Sequence, residues 1–448
     1  MIKSNSNRIF GNYNSDLIKY LIEYLNYDGS RITYSDKYGD NSFTINKPNN
    51  NYINCNYING YPHFDIPLEV CLEEIDNYIN NKPIYDDNFC IRYGDVHPNK
   101  PIPMQGQVRN LIVADTLYNM ISTSGEKIRV FSIGDISEKT IKYYVSNVNG
   151  DNNTFENIYH GLMRNSYSNN ETISDYHKFC IQMIKKLELF LKEIDLFADD
   201  FMLESELYSN KELYDIIINK IATSDGIKQN GELKYSFQEL MFILNDNFKN
   251  KVIYNIIGAD QSDHIKKVLK IMQDNYLNND VRYLTYGILK NASSRSLSEW
   301  SEKLSDEIDK KNILIGGKKI DCIDFFKFLL ISQRNNNIID LNNITKKDCR
   351  LLEVSEIFSS LSKSKKYKLD KIGHSALICK MALVNSELDK AIVNGEQNQF
   401  LSYLYSIALE YNNNFDENKN YSNLYNKFMK VSLDKLSISK TKTFSKIL

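Results

Sequence analysis

The sequence is poor in the features that would mark the simplest function classes. Its seven cysteines (Cys55, Cys71, Cys90, Cys180, Cys322, Cys349 and Cys379) are scattered, with no CxxC pair. That excludes a zinc knuckle and a dense disulfide framework, and leaves reduced, mostly buried thiols as the expectation. Neither sign of charge is in excess, with 55 Lys+Arg against 57 Asp+Glu. The chain as a whole is therefore not a basic nucleic-acid coat, and any polyanion site must be local. No window approaches about 18 consecutive apolar residues, and the N-terminus, MIKSNSNRIFGNYNSD, has no apolar h-region. Secretion and membrane spanning are thus unsupported, and a cytoplasmic location is expected. Proline stops at Pro103: all seven lie at or before it, so the remainder should be rich in uninterrupted helix.

What is present is a chain of 448 residues, 42% of them hydrophobic, enough for two or three packed domains. Residues 1–87 mix short aromatic and Asn-rich runs with one helix around Leu68 to Ile79, a small α+β appendage. From about Asn88 the pattern alternates: an apolar run at Phe89 to Tyr93, a helical stretch from Gly106 to about Ser122, then IRVFSIGD from Ile128 to Asp135. This is a βαβ unit. A helical insertion follows at about 150–230, and a second strand, VIYNIIGAD from Val252 to Asp260, leads straight into another helix. An α/β Rossmann-like domain over 88–325 is expected. After that the pattern is helical, with Leu377, Met381, Val384 and Leu388 on one face and Leu401, Leu404, Tyr405 and Ala408 on another, so 326–448 should form an all-α bundle. Its tail from Tyr421 carries six lysines against one aspartate, and SKSKKYKLDK at 362–371 adds a second basic cluster. Either is a docking place for a polyanion or an ordinary solvated helix face.

In a parallel α/β sheet, ligands bind beyond the carboxyl ends of the strands, where helix N-termini offer free N–H groups to anions. Two junctions fit. In VHPNKPIPMQGQVRN, Val96 to Asn110, a Pro-rigidified loop reaches Gly106 at a helix start, with Arg109 in the first turn. In IIGADQSDH, Ile256 to His264, Gly258 permits close backbone approach, and Asp260 or Gln261 can hydrogen-bond a ligand. Other polar residues have plain readings. His97, His160 and His177 show no metal-ligand spacing, Asp199-Asp200 reads as a solvated turn, and no metal site is expected.

Taken in order, these segments resemble the class I aminoacyl-tRNA synthetases, and specifically the arginyl form. Pro98-Asn99-Lys100-Pro101 followed by Met104-Gln105-Gly106-Gln107 and Val108-Arg109-Asn110 resembles that family's signature loop. Asp115, Ile133-Gly134-Asp135, Glu204-Ser205, Tyr235 with Glu239, Gly258-Ala259-Asp260-Gln261 with His264, and Tyr286-Gly287 continue the likeness in sequence order. The helical region, with GHSALICKMAL at 373–383, is similar to the family's anticodon-binding domain. The resemblance implies a site in which Gln107, Arg109, Lys290 and Arg295 act in catalysis. Gly106, Gly258, Asp260, His264, Ser293 and Ser294 would bind ATP, used with magnesium. Asn99, Tyr235, Glu239 and Gln261 would hold the substrate arginine, since a guanidinium needs a planar carboxylate or amide partner. Arginine and tRNA are the implied partners of a monomeric chain, with no DNA and no membrane.

Three positions depart from the family pattern. Its two signature histidines are replaced by Met104 and Gln107, and the loop lysine by Asn291, with Lys290 one residue off. Met donates no hydrogen bond and Gln carries no charge. Losing one such donor costs about 2.7–4 kcal/mol of transition-state stabilisation, so two or three would slow the reaction by a factor on the order of 10⁴ to 10⁷. Two functions are therefore expected. One is an arginyl-tRNA synthetase-like enzyme that activates arginine with ATP and transfers it to tRNA or another acceptor. The other is a catalytically inactive or repurposed paralog that binds tRNA.

Overall fold

In the computed structural model the described residues are chiefly 52–96, 105–163, 171–221, 235–287, 297–310, 318–335, 375–414 and 418–438, with shorter pieces between. Among them are two sheets of four or more strands. Near the N-terminus, α1 (Asp16–Leu25) is followed by the antiparallel strands β2 (Ile32–Ser35), β3 (Ser42–Ile45), β4 (Asn56–Ile58) and β5 (Tyr61–Phe64), and then by α2 (Leu68–Ile79). The helix expected at Leu68 to Ile79 is thus present. Glu74 on α2 is buried and accepts from the Ser15 hydroxyl (2.7 Å), the Leu17 amide (3.1 Å) and the Asn385 amide (2.9 Å). One carboxylate thereby caps the start of α1 and ties both helices to the C-terminal helical region.

The main sheet is built from β6 (Asn88–Val96), β7 (Lys127–Ile133), β8 (Asp200–Leu203), β9 (Lys251–Gly258) and β10 (Val281–Tyr286), all parallel, in the order β10-β9-β6-β7-β8. A further strand, β1 (Ile2–Lys3), pairs antiparallel with β10 at Tyr283 and Arg282. The first residues therefore belong to the edge of the main sheet rather than to the appendage that the sequence pattern suggests; a two-residue strand has no periodicity to read. The helix α3 (Gln105–Met120) crosses from β6 to β7, while α4 (Glu138–Asn147), α5 (Asn152–Met163) and α6 (Glu171–Glu193) lie between β7 and β8. After β8 come α7 (Glu204–Leu207), α8 (Lys211–Ile216) and α9 (Tyr235–Ile243), and α10 (Ser262–Asp274) joins β9 to β10.

Strand order fixes where a ligand can sit. From β6 the chain steps outward one way to β7 and β8, then returns to β9 and β10 on the other side, so the order reverses between β6 and β9. A crevice opens at the carboxyl ends of such a pair. Helix α3 is covered on nearly every side: Val108, Leu111, Ile112, Val113, Ala114 and Leu117 are all buried. It lies between the sheet and the C-terminal helices, which is why its sequence has no polar stripe.

Those helices are α11 (Leu297–Lys310), α12 (Cys322–Ser332), α13 (Ala376–Ala382), α14 (Val384–Asn394), α15 (Gln397–Asn413) and α16 (Ser422–Lys435). Leu377, Met381, Val384, Leu388, Leu401, Leu404 and Ala408 are buried, as their spacing implies, and Tyr405 packs at the edge of the same core. Polar ties fasten this region to the sheet. Gln397 donates to the Val113 carbonyl on α3 (3.1 Å), Tyr85 to Asp389 (2.5 Å) and Tyr254 to the Ile392 carbonyl (3.1 Å). No helix among the described residues is long and apolar enough to cross a membrane.

Candidate active site

The crevice between β6 and β9 contains a cavity of about 410 Å³. Gln107 reaches it from the first turns of α3, Gly258 from the end of β9, and Gln261 and His264 from the turn into α10. The two glycine-bearing crossovers singled out in the sequence therefore open onto one concavity, with Glu239 of α9 and Tyr286 on its wall. Burial pushes the His264 pKa down against the opposing pull of Glu239, so at neutral pH its imidazole is an uncharged donor or acceptor.

The floor is a row of side chains set by strand register. Arg92 on β6 lies beside Asn255 on β9, and Asn255 beside Tyr283 on β10. All three converge on Glu239: Arg92 NH1 meets Oε2 at 2.5 Å, while the Asn255 amide and the Tyr283 hydroxyl donate to Oε1 at 2.5 and 2.9 Å. The Arg92 guanidinium also donates through Nε to Ser132 (2.8 Å) and stacks over the Phe242 ring at 4.1 Å. Burial works against its charge, and Glu239 more than restores it, so its pKa is raised. The Tyr283 phenol is held well above its ordinary pKa by burial and then by Glu239.

Glu239, expected to meet a substrate guanidinium, lies on the cavity wall and is also met by a guanidinium of the chain itself. The sequence reading missed Arg92. A single cation in the middle of a buried strand, within FCIRYG, was the available signal, because a charge in such a place needs a partner.

A second carboxylate, Glu204, also lines the cavity. Its place is set by the next residue: the Ser205 amide and hydroxyl both donate to Asp135, at 2.9 and 2.5 Å. Burial pushes the Asp135 carboxyl up to about 6, with the Ser205 hydrogen bonds opposing. The Gly134-Asp135 and Glu204-Ser205 segments thus act as one unit that delivers Glu204 to the crevice.

Arg109, expected to act in catalysis, is not among the residues that line the cavity. It is fully buried, and its two terminal nitrogens donate to four backbone carbonyls: Gly287 (2.8 Å), Asn337 (2.9 Å), Arg334 (3.1 Å) and Asn335 (2.7 Å). No carboxylate is among these partners, and burial lowers its pKa to about 10. It clamps the turn after β10 to the segment after α12. Asp199, expected in a solvated turn, is exposed at a bend and takes a two-point contact from Arg129 (3.1 and 3.0 Å).

Lys290 is exposed on a short strand pairing with Ile339–Asp340, outside the cavity. Gly106 is the second residue of α3, Tyr235 opens α9, and Asp260 lies in the turn before α10; the side chains of Tyr235 and Asp260 are not among the described ones. Asn99, Met104, Asn291, Ser293, Ser294 and Arg295 lie outside the described residues, as does the 362–371 basic cluster. Among the described residues no group of three or more His, Cys, Asp or Glu side chains is arranged to hold a metal.

The architecture, a parallel sheet with a cleft at its order reversal and a packed α-helical region, is an arginyl-tRNA synthetase-like fold. The Thermus thermophilus arginyl-tRNA synthetase superposes with a TM-score of 0.64, covering 94% of this chain and 98% of that one at 11% identity. The Plasmodium falciparum arginyl-tRNA synthetase gives 0.59, covering 85% and 82% at 13% identity. No family model and no curated protein sequence matches, so the likeness is one of fold.

Proposed function

We propose that this is an arginyl-tRNA synthetase-like protein that binds arginine and ATP in the cleft between β6 and β9, activates the amino acid and transfers it to tRNA or another acceptor. The observation that carries the reading is the charge of the cavity: among the described residues that line it, Glu204 and Glu239 stand against one cation, Arg92. An uncharged His264 adds nothing, so this described lining is net negative and favours a cationic side chain. Gln261 supplies an amide for the ligand's polar groups. Gly258 and the start of α10 leave backbone N–H groups for phosphates. The reduced donor set at Gln107 implies slow activation. The helical region is the expected tRNA platform.

Arginine-dependent exchange of labelled pyrophosphate into ATP, with and without tRNA, tests this. Exchange that depends on arginine supports an adenylating site. Absence of both exchange and arginine binding by calorimetry overturns the reading, and tRNA binding without either would favour the repurposed paralog.

A further inference from the structure

The neighbours of Glu239 leave it little to offer a ligand. A carboxylate has about four acceptor positions, two on each oxygen. Asn255 and Tyr283 fill those on Oε1, and Arg92 Nη1 takes one on Oε2. What is left is one position on Oε2, on a side chain still 12% exposed at the cavity wall. Arg92 is not free to swing aside and release the other, because Ser132 holds its Nε and its guanidinium lies over the Phe242 ring. Both oxygens of Glu239 are therefore engaged by the chain itself.

That geometry treats the two common organic cations differently. A guanidinium is a rigid planar fork, bound best by two parallel N–H bonds to the oxygens of one carboxylate. Glu239 cannot accept such a pair while Oε1 is full and Arg92 holds Oε2. Glu204 lies in the field of the same Arg92 and is engaged within the chain as well. An ammonium is a compact point charge with three rotatable donors, so single acceptors on different residues serve it. The cavity supplies acceptors in that dispersed form: the remaining position on Glu239, the Glu204 carboxylate, and the amide oxygens of Gln238 and Gln261. The Gln238 hydrogen bond to Tyr208 pulls that phenol's pKa down against burial. The amide nitrogen is thus the donor there, and the oxygen remains an acceptor.

We propose that the cleft takes an α-amino acid ending in an ammonium, of the ornithine or lysine class, at least as readily as one ending in a guanidinium, and that Arg92 sets this specificity. The inference rests on the reading of the cleft as an amino-acid-activating site, and it defines the substrate by the charge of its side chain rather than by its shape. Arg92 acts here as a positioning residue: by holding Oε2 it fixes how much of Glu239 a ligand can use. Tyr283 does the same at Oε1.

Calorimetric titration of the full chain with arginine, ornithine, lysine and the uncharged norleucine tests the proposal. The better of ornithine and lysine is expected to bind as tightly as arginine or tighter, to within about threefold, and norleucine roughly tenfold or more below it. Pyrophosphate exchange supported by each amino acid should follow the same rank. Arg92→Met frees Oε2, so the ratio of arginine to ornithine affinity should rise by roughly fivefold or more. Because that variant strips a buried carboxylate of its cation, Tyr283→Phe guards against misfolding: it keeps the ion pair, frees one position on Oε1 and should raise the same ratio by about threefold. Arginine bound more than about tenfold tighter than both ammonium acids by the wild-type protein overturns the inference and leaves the proposed activity standing. A ratio that neither variant changes also overturns it. Binding of none of the basic amino acids overturns the proposed activity together with the inference.

Discussion

Arg92 and Glu239, 147 residues apart in sequence, form an ion pair at 2.5 Å on the floor of the cleft. Any cationic substrate must share that carboxylate with the chain's own guanidinium. Arg92→Met is expected to release Glu239, still held by Asn255 and Tyr283, and to raise arginine affinity roughly tenfold, about 1.4 kcal/mol. The same change leaves a buried carboxylate without its cation, at a stability cost of about 3–5 kcal/mol. Calorimetry and thermal unfolding would read these opposite movements; arginine affinity that stays level or falls would show that the two guanidinium groups do not compete.

Arg109 spreads two nitrogens over four carbonyls, a task suited to a planar fork and not to a point charge. Arg109→Lys should cost about 2–4 kcal/mol in urea denaturation, since buried carbonyls lose their donors. It is expected to reduce stability far more than it slows pyrophosphate exchange per folded molecule. A loss under about 0.5 kcal/mol, within the range of an ordinary surface change, would reject the clamp.

Gly395, which ends α14, lies in the left-handed region at φ +63°, and a Cβ there would collide with the Leu284 side chain. Gly395→Ala combines backbone strain of about 1–2 kcal/mol with overpacking of about 1–3 kcal/mol. Adding Leu284→Ala should relieve the steric part and leave the backbone part. Equal stability of the single and double variants would mean that the helical region simply slides off the sheet.

Much of this architecture is legible in the sequence because its signals are local. The strands around Ile91 and Ile256 are apolar runs, and the glycines at 106 and 258 mark the crossovers. What escapes is whatever depends on register. Nothing in the sequence places Arg92, Asn255 and Tyr283 side by side, because each belongs to a different strand. Glu204 was visible as part of a Glu-Ser segment, but its delivery to the cleft depends on Asp135 holding Ser205. The contacts of Arg109 with the carbonyls of Gly287, Arg334, Asn335 and Asn337 join segments far apart in the chain, and nothing local in the sequence announces them.

Lys435 carries a pH signature whose sign follows from its burial. Desolvation, aided by Lys127 and opposed by Asp434, lowers its pKa to about 8, against about 10.4 for an unperturbed lysine. As pH falls from about 10.4 the unfolded chain takes up this proton first, so the folded state loses stability until its own lysine protonates near 8. Stability should therefore rise with pH between about 8 and 10, by up to about 3 kcal/mol, and be flat in this contribution below that window. Lys435→Met removes the slope and stabilises the protein at neutral pH, which urea denaturation between about pH 7.5 and 9.5 would measure. A wild-type slope that survives in Lys435→Met would move the titration to another group, of which Lys327, also lowered by burial, is the first to test.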